Sequence, residues 1–352
     1  MVHRPVKPPR IVLVTPALAA ANNGNWQTAQ RWQRLLAADY RVQLTDGWPA
    51  GGGGSTSGSG SGTSGGSSTD PALMVALHAR RSAASVRAWR DRYPHRPLLL
   101  VLTGTDLYRD IHTDADARQS LALADRLLVL NELGAQALPA ALRHKTGVCL
   151  QSTPARQTRA KTGRHLRALM VGHLRDEKSP GTYFEAARLL AHRSDILLDH
   201  IGADLDPALG AQARALAASH PQYRWLGPQP HAATRARIQA AHLLVHASQM
   251  EGGAHVVIEA ITSGTPVLAS RIAGNLGLLG TGYSGCFDWG DAAGLAALLQ
   301  QARDDAAMLP GLQRQCAARA PLFHPDHERQ TLRTLLALML PKHHPEAPHE
   351  RP

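Results

Sequence analysis

Aromatic side chains are scarce in this chain. They make up 4% of its 352 residues, with only three phenylalanines, and no basic stretch is interleaved with aromatics as a base-stacking surface would require. That argues against a nucleic-acid-binding protein. Cysteine is sparser still: Cys149, Cys286 and Cys316 stand far apart without a CxxC pair, which speaks against a disulfide framework and a sulfur-ligated zinc site. Such cysteines suit a reducing, cytoplasmic setting. No apolar run reaches the ~18 residues of a membrane span; the longest obvious one, "PLLLVLTG", is short. The basic opening "MVHRPVKPPR" leads into the strand-like "IVLVT" rather than an apolar stretch with a small-residue cleavage site, so no export signal is expected. Acidic residues are also in the minority, 27 against 38 lysines and arginines, and the net charge of +11 favours anionic partners: nucleic acid, acidic lipid or phosphorylated small molecules.

What is present is an alternation of short apolar runs with helical patterns. "IVLVT", "VQLT", "LMVALHA", "LLLVLTG", "RLLVLN" and "GVCLQ" occupy the first half; after the polar, basic "TPARQTRAKTGRH" the pattern restarts with "RALMVGH", "ILLDHIG", "YRWLG", "HLLVHAS" and "PVLAS". This is the pattern of parallel α/β sheets. Two similar α/β domains are expected, residues 1–155 and 165–325, with a C-terminal helix over 326–341 that packs back on the first domain. Ligands of such sheets bind at the carboxyl ends of the strands, so the inter-domain crevice is the default site. Residues 51–69 contain only Gly, Ser and Thr; such a segment buries nothing and reads as a flexible surface insert in the first domain, spanning ~25 Å as a random coil. The tail 342–352 is expected to be disordered as well.

The stretch "SQMEGGAHVVIEA" sets Glu251 and Glu259 eight positions apart. A helix over about 253–263 would turn Ala254, Val257, Ile258 and Ile261 to the core and leave Glu251, His255 and Glu259 along one polar edge. Gly252 and Gly253 at its start would let a phosphate approach the unpaired backbone N–H groups, and Glu259 could take the hydroxyls of a ribose. The same spacing also fits a glutamate stabilising the helix dipole and a second, solvated one. In "TPALAAANNGNWQ", Asn23, Gly24 and Asn25 form a strand-to-helix turn that suits an anion site or a polar cap. Trp26 beside it reads mainly as a packing residue. Asp114-Ala-Asp116 and Asp204-Leu-Asp206 match the DxD pattern that holds divalent metals elsewhere, yet their positions fit helix capping better. His242 and His246 lie on a strand with no third ligand nearby. No metal is expected.

"EGGAHVVIEAITSGTPVLASRIAGN", with "VHAS", "WLG" and "VGHLRDEKSP" upstream, resembles family 4 of the retaining glycosyltransferases. The resemblance implies a GT-B fold, two Rossmann-like domains with a central cleft, and a nucleotide-sugar donor held by the second. It implies that Glu259 binds the donor ribose, Glu251 approaches the transferred sugar and Lys178 neutralises the diphosphate, with Gly24, His173, Arg175, Gly227, Gly252, Gly253, Ala254 and His255 also contacting donor. His173 stands where the family has an arginine, so a second cation would come from elsewhere, Arg175 being two residues on. Before "GTD" many relatives carry a histidine; here that place is Thr103.

"NNGNWQTAQRW", "ALHARRSAASV", "LTGTDLYRDI", "RLLVLNELG" and "LQSTPA" are more closely similar to the selenosugar synthases of bacterial selenoneine formation. That likeness implies transfer of N-acetylglucosamine from UDP-N-acetylglucosamine to selenophosphate, with release of UDP and phosphate, no required cofactor, and functional coupling to a selenophosphate synthetase and a selenoneine synthase. An ionised selenophosphate needs cations and backbone donors rather than a general base. Acceptor binding is therefore expected of Asn23, Gly24, Asn25, Thr103, Gly104, Thr105, Asp106 and Arg109, although Asp106 also fits a turn cap and Arg109 a surface charge. Left open are a family 4 enzyme with another UDP- or GDP-sugar and a lipid, glycan or thiol acceptor, and a non-catalytic nucleotide-sugar sensor. Retention or inversion at the anomeric carbon is likewise open.

Overall fold

The computed structural model describes residues 8–17, 24–48 and 70–340. The insert 51–69, Asn23 and the tail 342–352 lie outside the described residues. Among the described residues twelve strands form two sheets: β1 (Arg10–Val14), β2 (Arg41–Thr45), β3 (Leu73–Leu77), β4 (Leu98–Leu102), β5 (Arg126–Val129) and β6 (Thr146–Val148) in one, β7 (Leu166–Val171), β8 (Ile196–Ile201), β9 (Tyr223–Trp225), β10 (Leu243–His246), β11 (Val267–Ser270) and β12 (Cys286–Phe287) in the other. Their orders are β2-β1-β3-β4-β5-β6 and β12-β11-β10-β7-β8-β9. Pairings such as β1 with β3, β7 with β8 and β10 with β11 are parallel. Sequence explains this directly: β3, β4 and β10 are apolar at nearly every position and buried throughout, as strands covered on both faces must be.

The chain divides into two compact units, residues 1–101 with 115–127 and 329–352, and residues 102–114 with 128–328. In the first, Ile11, Leu13, Met74, Leu98 and Leu99 are buried, as are the indoles of Trp32 and Trp89, and Trp89 takes Trp48 and Tyr93 edge-on at 5.4 and 4.8 Å. In the second, one continuous core runs from Leu166, Tyr183 and Phe184 through Leu244, Val257 and Ile258 to Leu299 and Phe323.

Two segments differ from the sequence expectation. "GVCLQ" contributes only its first residues to a strand, since β6 ends at Val148. The helix expected from about 253 begins at His255 and ends at Ile261; Glu251 is therefore in a loop, for reasons given below. The helix Pro325–Met339 starts in the second unit, where the buried carboxylate of Glu328 accepts from the Ser152 amide and hydroxyl at 2.8 and 2.5 Å. It continues in the first, where Arg333 pairs with Asp39 at 3.0 Å. Among the described residues no helix is long and apolar enough to cross a membrane.

Candidate functional site

The loop that leaves β7 passes so close to the loop after β8 that a Cβ on Gly202 would fall 1.9 Å from the Gly172 carbonyl oxygen. Lys178 closes a single tight turn, Asp176–Lys178, held by Lys178 N–H to Arg175 O at 3.0 Å and Ser179 N–H to Asp176 O at 2.8 Å. Ser179 then takes a left-handed conformation, φ 48°, so that Pro180 can open the helix Pro180–Leu189 at its first position. The Lys178 stem runs along Gly172. His173 is not the missing second cation. Its Nδ1 accepts from the Ala203 N–H at 3.1 Å, and burial together with the Arg175 and Lys178 charges lowers its pKa, which leaves the ring neutral at pH 7. Arg175, exposed in the same loop, is the remaining candidate.

The loop after β10 carries Glu251. Its Oε1 lies 2.5 Å from Lys178 Nζ and 3.4 Å from Nε2 of His246, and both side chains of the ion pair are mostly buried. Burial would raise the Glu251 pKa, but the Lys178 charge and the imidazole outweigh it and hold the carboxyl well below the usual range. The backbone of this loop is gripped from several sides. Asn131 Nδ2, fully buried, donates to Gly252 O at 2.8 Å and to the Tyr108 hydroxyl at 3.0 Å. Gln249 N–H donates to Glu177 O at 3.0 Å, and a Cβ on Gly274 would meet Glu251 O at 2.0 Å. Gly252 lies flat on the next loop, its hypothetical Cβ 2.3 Å from both C and O of Thr103. These contacts stop the helix from extending back over the glycines. The helix is only seven residues long, so its dipole is weak.

Glu259, buried on that helix, is surrounded by cationic or imidazole groups: His231 Nε2 at 2.6 Å, His255 Nδ1 at 3.4 Å and Arg235 at 3.6 Å. Burial pushes its pKa up, but the hydrogen bonds from His231 and His255 and the nearby charges prevail and hold it at about 2. A carboxyl held below its unfolded value of 4.5 contributes stability that is complete above that value and is lost as pH falls toward 2. Replacement by glutamine removes that dependence. Wild-type protein is therefore expected to lose more of its thermal midpoint than Glu259→Gln between pH 5 and pH 2.5, and parallel declines would show that the pairing is absent in solution.

The residues expected to meet an acceptor fall in two places. Gly24 and Asn25 begin the helix Gly24–Leu36 in the first unit, where Thr28 Oγ1 donates to Gly24 O at 2.8 Å. Thr103 to Arg109 belong to the second. There Asp106 Oδ1 accepts from the Thr103 and Gly104 amides, each at 2.9 Å, and so shapes the turn that lies on Gly252. Gly104 has φ 148°, a conformation only glycine adopts readily. Thr105 precedes the turn of helix that carries Arg109, and Arg109 pairs with Asp110 at 3.1 Å and Glu177 at 3.4 Å. Gly227, at φ 63°, follows β9 and gives its carbonyl to the Gly202 N–H at 3.0 Å.

The structure thus brings Lys178, Glu251, Gly252 and the turn Thr103–Asp106 together, and places Glu259, His255 and Ala254 one helix away. Residues 119–321, more than half of the chain, match the family described as glycosyl transferases group 1. The chain belongs to that family. None of the curated proteins matches it. Among solved structures this group 1 transferase is similar to the sucrose-phosphate synthase of Thermosynechococcus elongatus, at 18% identity over 94% of this chain and 99% of that one, TM-score 0.71. The Anabaena protein HepE, solved with UDP and glucose, gives 14% identity, the same coverages and TM-score 0.71. TarM of S. aureus, solved with UDP, fondaparinux and α-GlcNAc-glycerol, gives 12% identity over 76% of this chain and 55% of that one, TM-score 0.62. The fold is the α/β GT-B fold of glycosyltransferases.

Four side chains around these residues were not assigned from the sequence. His231 and Arg235 stand four apart on the helix His231–Ala240, a spacing that puts both on one face, but nothing in the sequence aims that face at Glu259. Asn131 reaches Gly252 across 121 positions. His246, set aside as a metal ligand, lies beside Glu251. The discounted aspartates behave as caps or surface partners: Asp206 accepts from the Ala208 and Leu209 amides, Asp204 pairs with Arg214 and Asp116 with Arg87. His242 bonds the Arg167 amide and the Thr162 carbonyl.

Proposed function

We propose that this glycosyltransferase joins selenophosphate to the sugar of UDP-N-acetylglucosamine. The selenium attacks the anomeric carbon and forms the C–Se bond. The C–O bond to the diphosphate breaks with its electron pair, UDP departs, and water cleaves the P–Se bond to release phosphate and the selenosugar. Lys178, assisted by Arg175, takes up the charge that develops on the diphosphate. Glu251 orients the sugar hydroxyls or faces the charge on the anomeric carbon, and Glu259 takes the ribose. Thr103, Gly104, Thr105 and Arg109 meet the acceptor.

The observation that carries this reading is the hydroxyl at position 103. Thr103 lies against Gly252, one residue from Glu251, where an alcohol-glycosylating relative would profit from an imidazole. A nucleophile that is already ionised and polarisable needs none. Two anionic substrates also suit the net charge of +11. Uridine nucleotides bound in the fold relatives HepE and TarM, and the α-GlcNAc-glycerol bound in the latter, support the donor. The cationic loop suits a reaction that needs no metal.

Incubation with UDP-N-acetylglucosamine and, in separate arms, selenophosphate, thiophosphate and simple alcohols tests the reading, each arm with and without a chelator. UDP release that follows selenophosphate and ignores the chelator is expected. Preference for an alcohol or thiol would favour a transferase of another acceptor class, and tight UDP-sugar binding without turnover of any acceptor would favour a sensor.

A further inference from the structure

The Glu251 carboxylate has one close partner and one neighbour that stops short of hydrogen-bond geometry. Lys178 holds its Oε1 at 2.5 Å, while Nε2 of His246 stands 3.4 Å from the same oxygen. That nitrogen is buried with no partner of hydrogen-bond geometry among the described residues. His246 ends β10, whose other residues, Leu243, Leu244 and Val245, are apolar and buried, as is Ala247 beyond. A buried donor left unmade in an otherwise apolar strand is costly, and such a group calls for an explanation.

The explanation lies in what a diphosphate would do to the pair. On the reading of residues 172–179 as the diphosphate loop, Lys178 cannot neutralise both the ligand and Glu251. The Glu251 side chain is largely buried, Gly274 lies against its Cβ and backbone carbonyl, and Lys178 is the ammonium that holds it. When that ammonium turns to the ligand, a buried charge is exposed to the full cost of being unpaired. We propose that His246 is the second seat of Glu251: as the diphosphate draws Lys178 away, the carboxylate closes the 3.4 Å gap and accepts the Nε2–H of His246. A neutral imidazole suffices, because only one N–H is needed. His246 is then a positioning residue, which holds Glu251 ready for the sugar while Lys178 serves the phosphates.

A double-mutant cycle on the full chain, with UDP as the probe and calorimetric titration as the readout, tests this. His246→Leu is expected to weaken UDP binding about tenfold, the size expected for a buried charge that loses its partner. His246→Gln, which keeps an N–H donor, stays within about threefold of wild type. In the Glu251→Gln background, where no charge needs a partner, His246→Leu changes UDP affinity by less than about twofold. Equal losses in the two backgrounds would show a merely structural role and overturn the proposal, as would wild-type affinity in His246→Leu. If the leucine variant is unstable by thermal unfolding, the glutamine variant decides: a tenfold loss there contradicts the exchange, and retained affinity supports it. Wild-type protein that binds no UDP would refute the nucleotide reading itself, a result the cycle separates from failure of the exchange.

Discussion

Replacing Lys178 by alanine is expected to lower UDP release from UDP-N-acetylglucosamine by at least about 10²- to 10³-fold, the usual loss when one preorganised group is removed from a site of developing negative charge. The tight turn at Asp176–Lys178 fixes where the ammonium starts, and Gly172 leaves room for its stem. Arginine at that place carries the charge but not the reach or the single-point geometry, so Lys178→Arg restores only part of the rate. Folding is affected too. Without the ammonium, burial acts on Glu251 unopposed by its strongest partner, and loss of one member of so sheltered a pair costs up to about 3 kcal/mol. Because a carboxyl with a depressed folded-state pKa contributes stability above its unfolded pKa, that cost is felt at neutral pH and shrinks as the medium is acidified. Rates are therefore compared at a temperature well below the variant's unfolding midpoint. Turnover close to wild type would remove Lys178 from the mechanism.

Gly252→Ala is expected to harm stability and activity together. Its new methyl would sit 2.3 Å from the carbonyl carbon and oxygen of Thr103 and 2.7 Å from the Gly104 nitrogen. These are backbone atoms, pinned by Asp106 on one side and by Asn131 on the other, so no rotamer change can relieve the overlap. One of the two loops has to move. Overpacking of this kind costs about 2–3 kcal/mol, and a shift of about 1 Å at Glu251 costs on the order of 10² in rate. Gly181→Ala is the matched control: it lies exposed in the helix Pro180–Leu189 with open space around its Cβ position, where alanine favours the helix by up to about 1 kcal/mol. Thermal unfolding and UDP release measured on both variants test the contrast; a Gly252→Ala protein as stable and active as Gly181→Ala would refute the packing argument.

The parts of this molecule that follow from local pattern were legible in its sequence. β7, β10 and β11 are buried apolar runs between polar turns, and the core face Val257, Ile258 and Ile261 follows the helical period. Asp206 and its proline announced a cap. The helix start was set two residues too early because periodicity cannot see Asn131, which comes from the loop after β5 and seizes the Gly252 carbonyl. His231 and His246 were missed for the same reason, since their value lies in proximity to carboxylates far away in sequence. His173 shows the reverse case: a basic residue in a phosphate-loop motif proves to be a neutral acceptor for a backbone amide, and only the neighbouring loop after β8 reveals it.

In the reaction proposed for this chain selenium, not oxygen, receives the sugar. Mass spectrometry of the products formed from UDP-N-acetylglucosamine and selenophosphate under reducing, anaerobic conditions tests it most directly. The expected product is an N-acetylhexosamine carrying selenium, with UDP and phosphate formed in equal amounts. UDP released with only free N-acetylglucosamine, or with a sugar bonded to an added alcohol or thiol while selenophosphate is left intact, would contradict it.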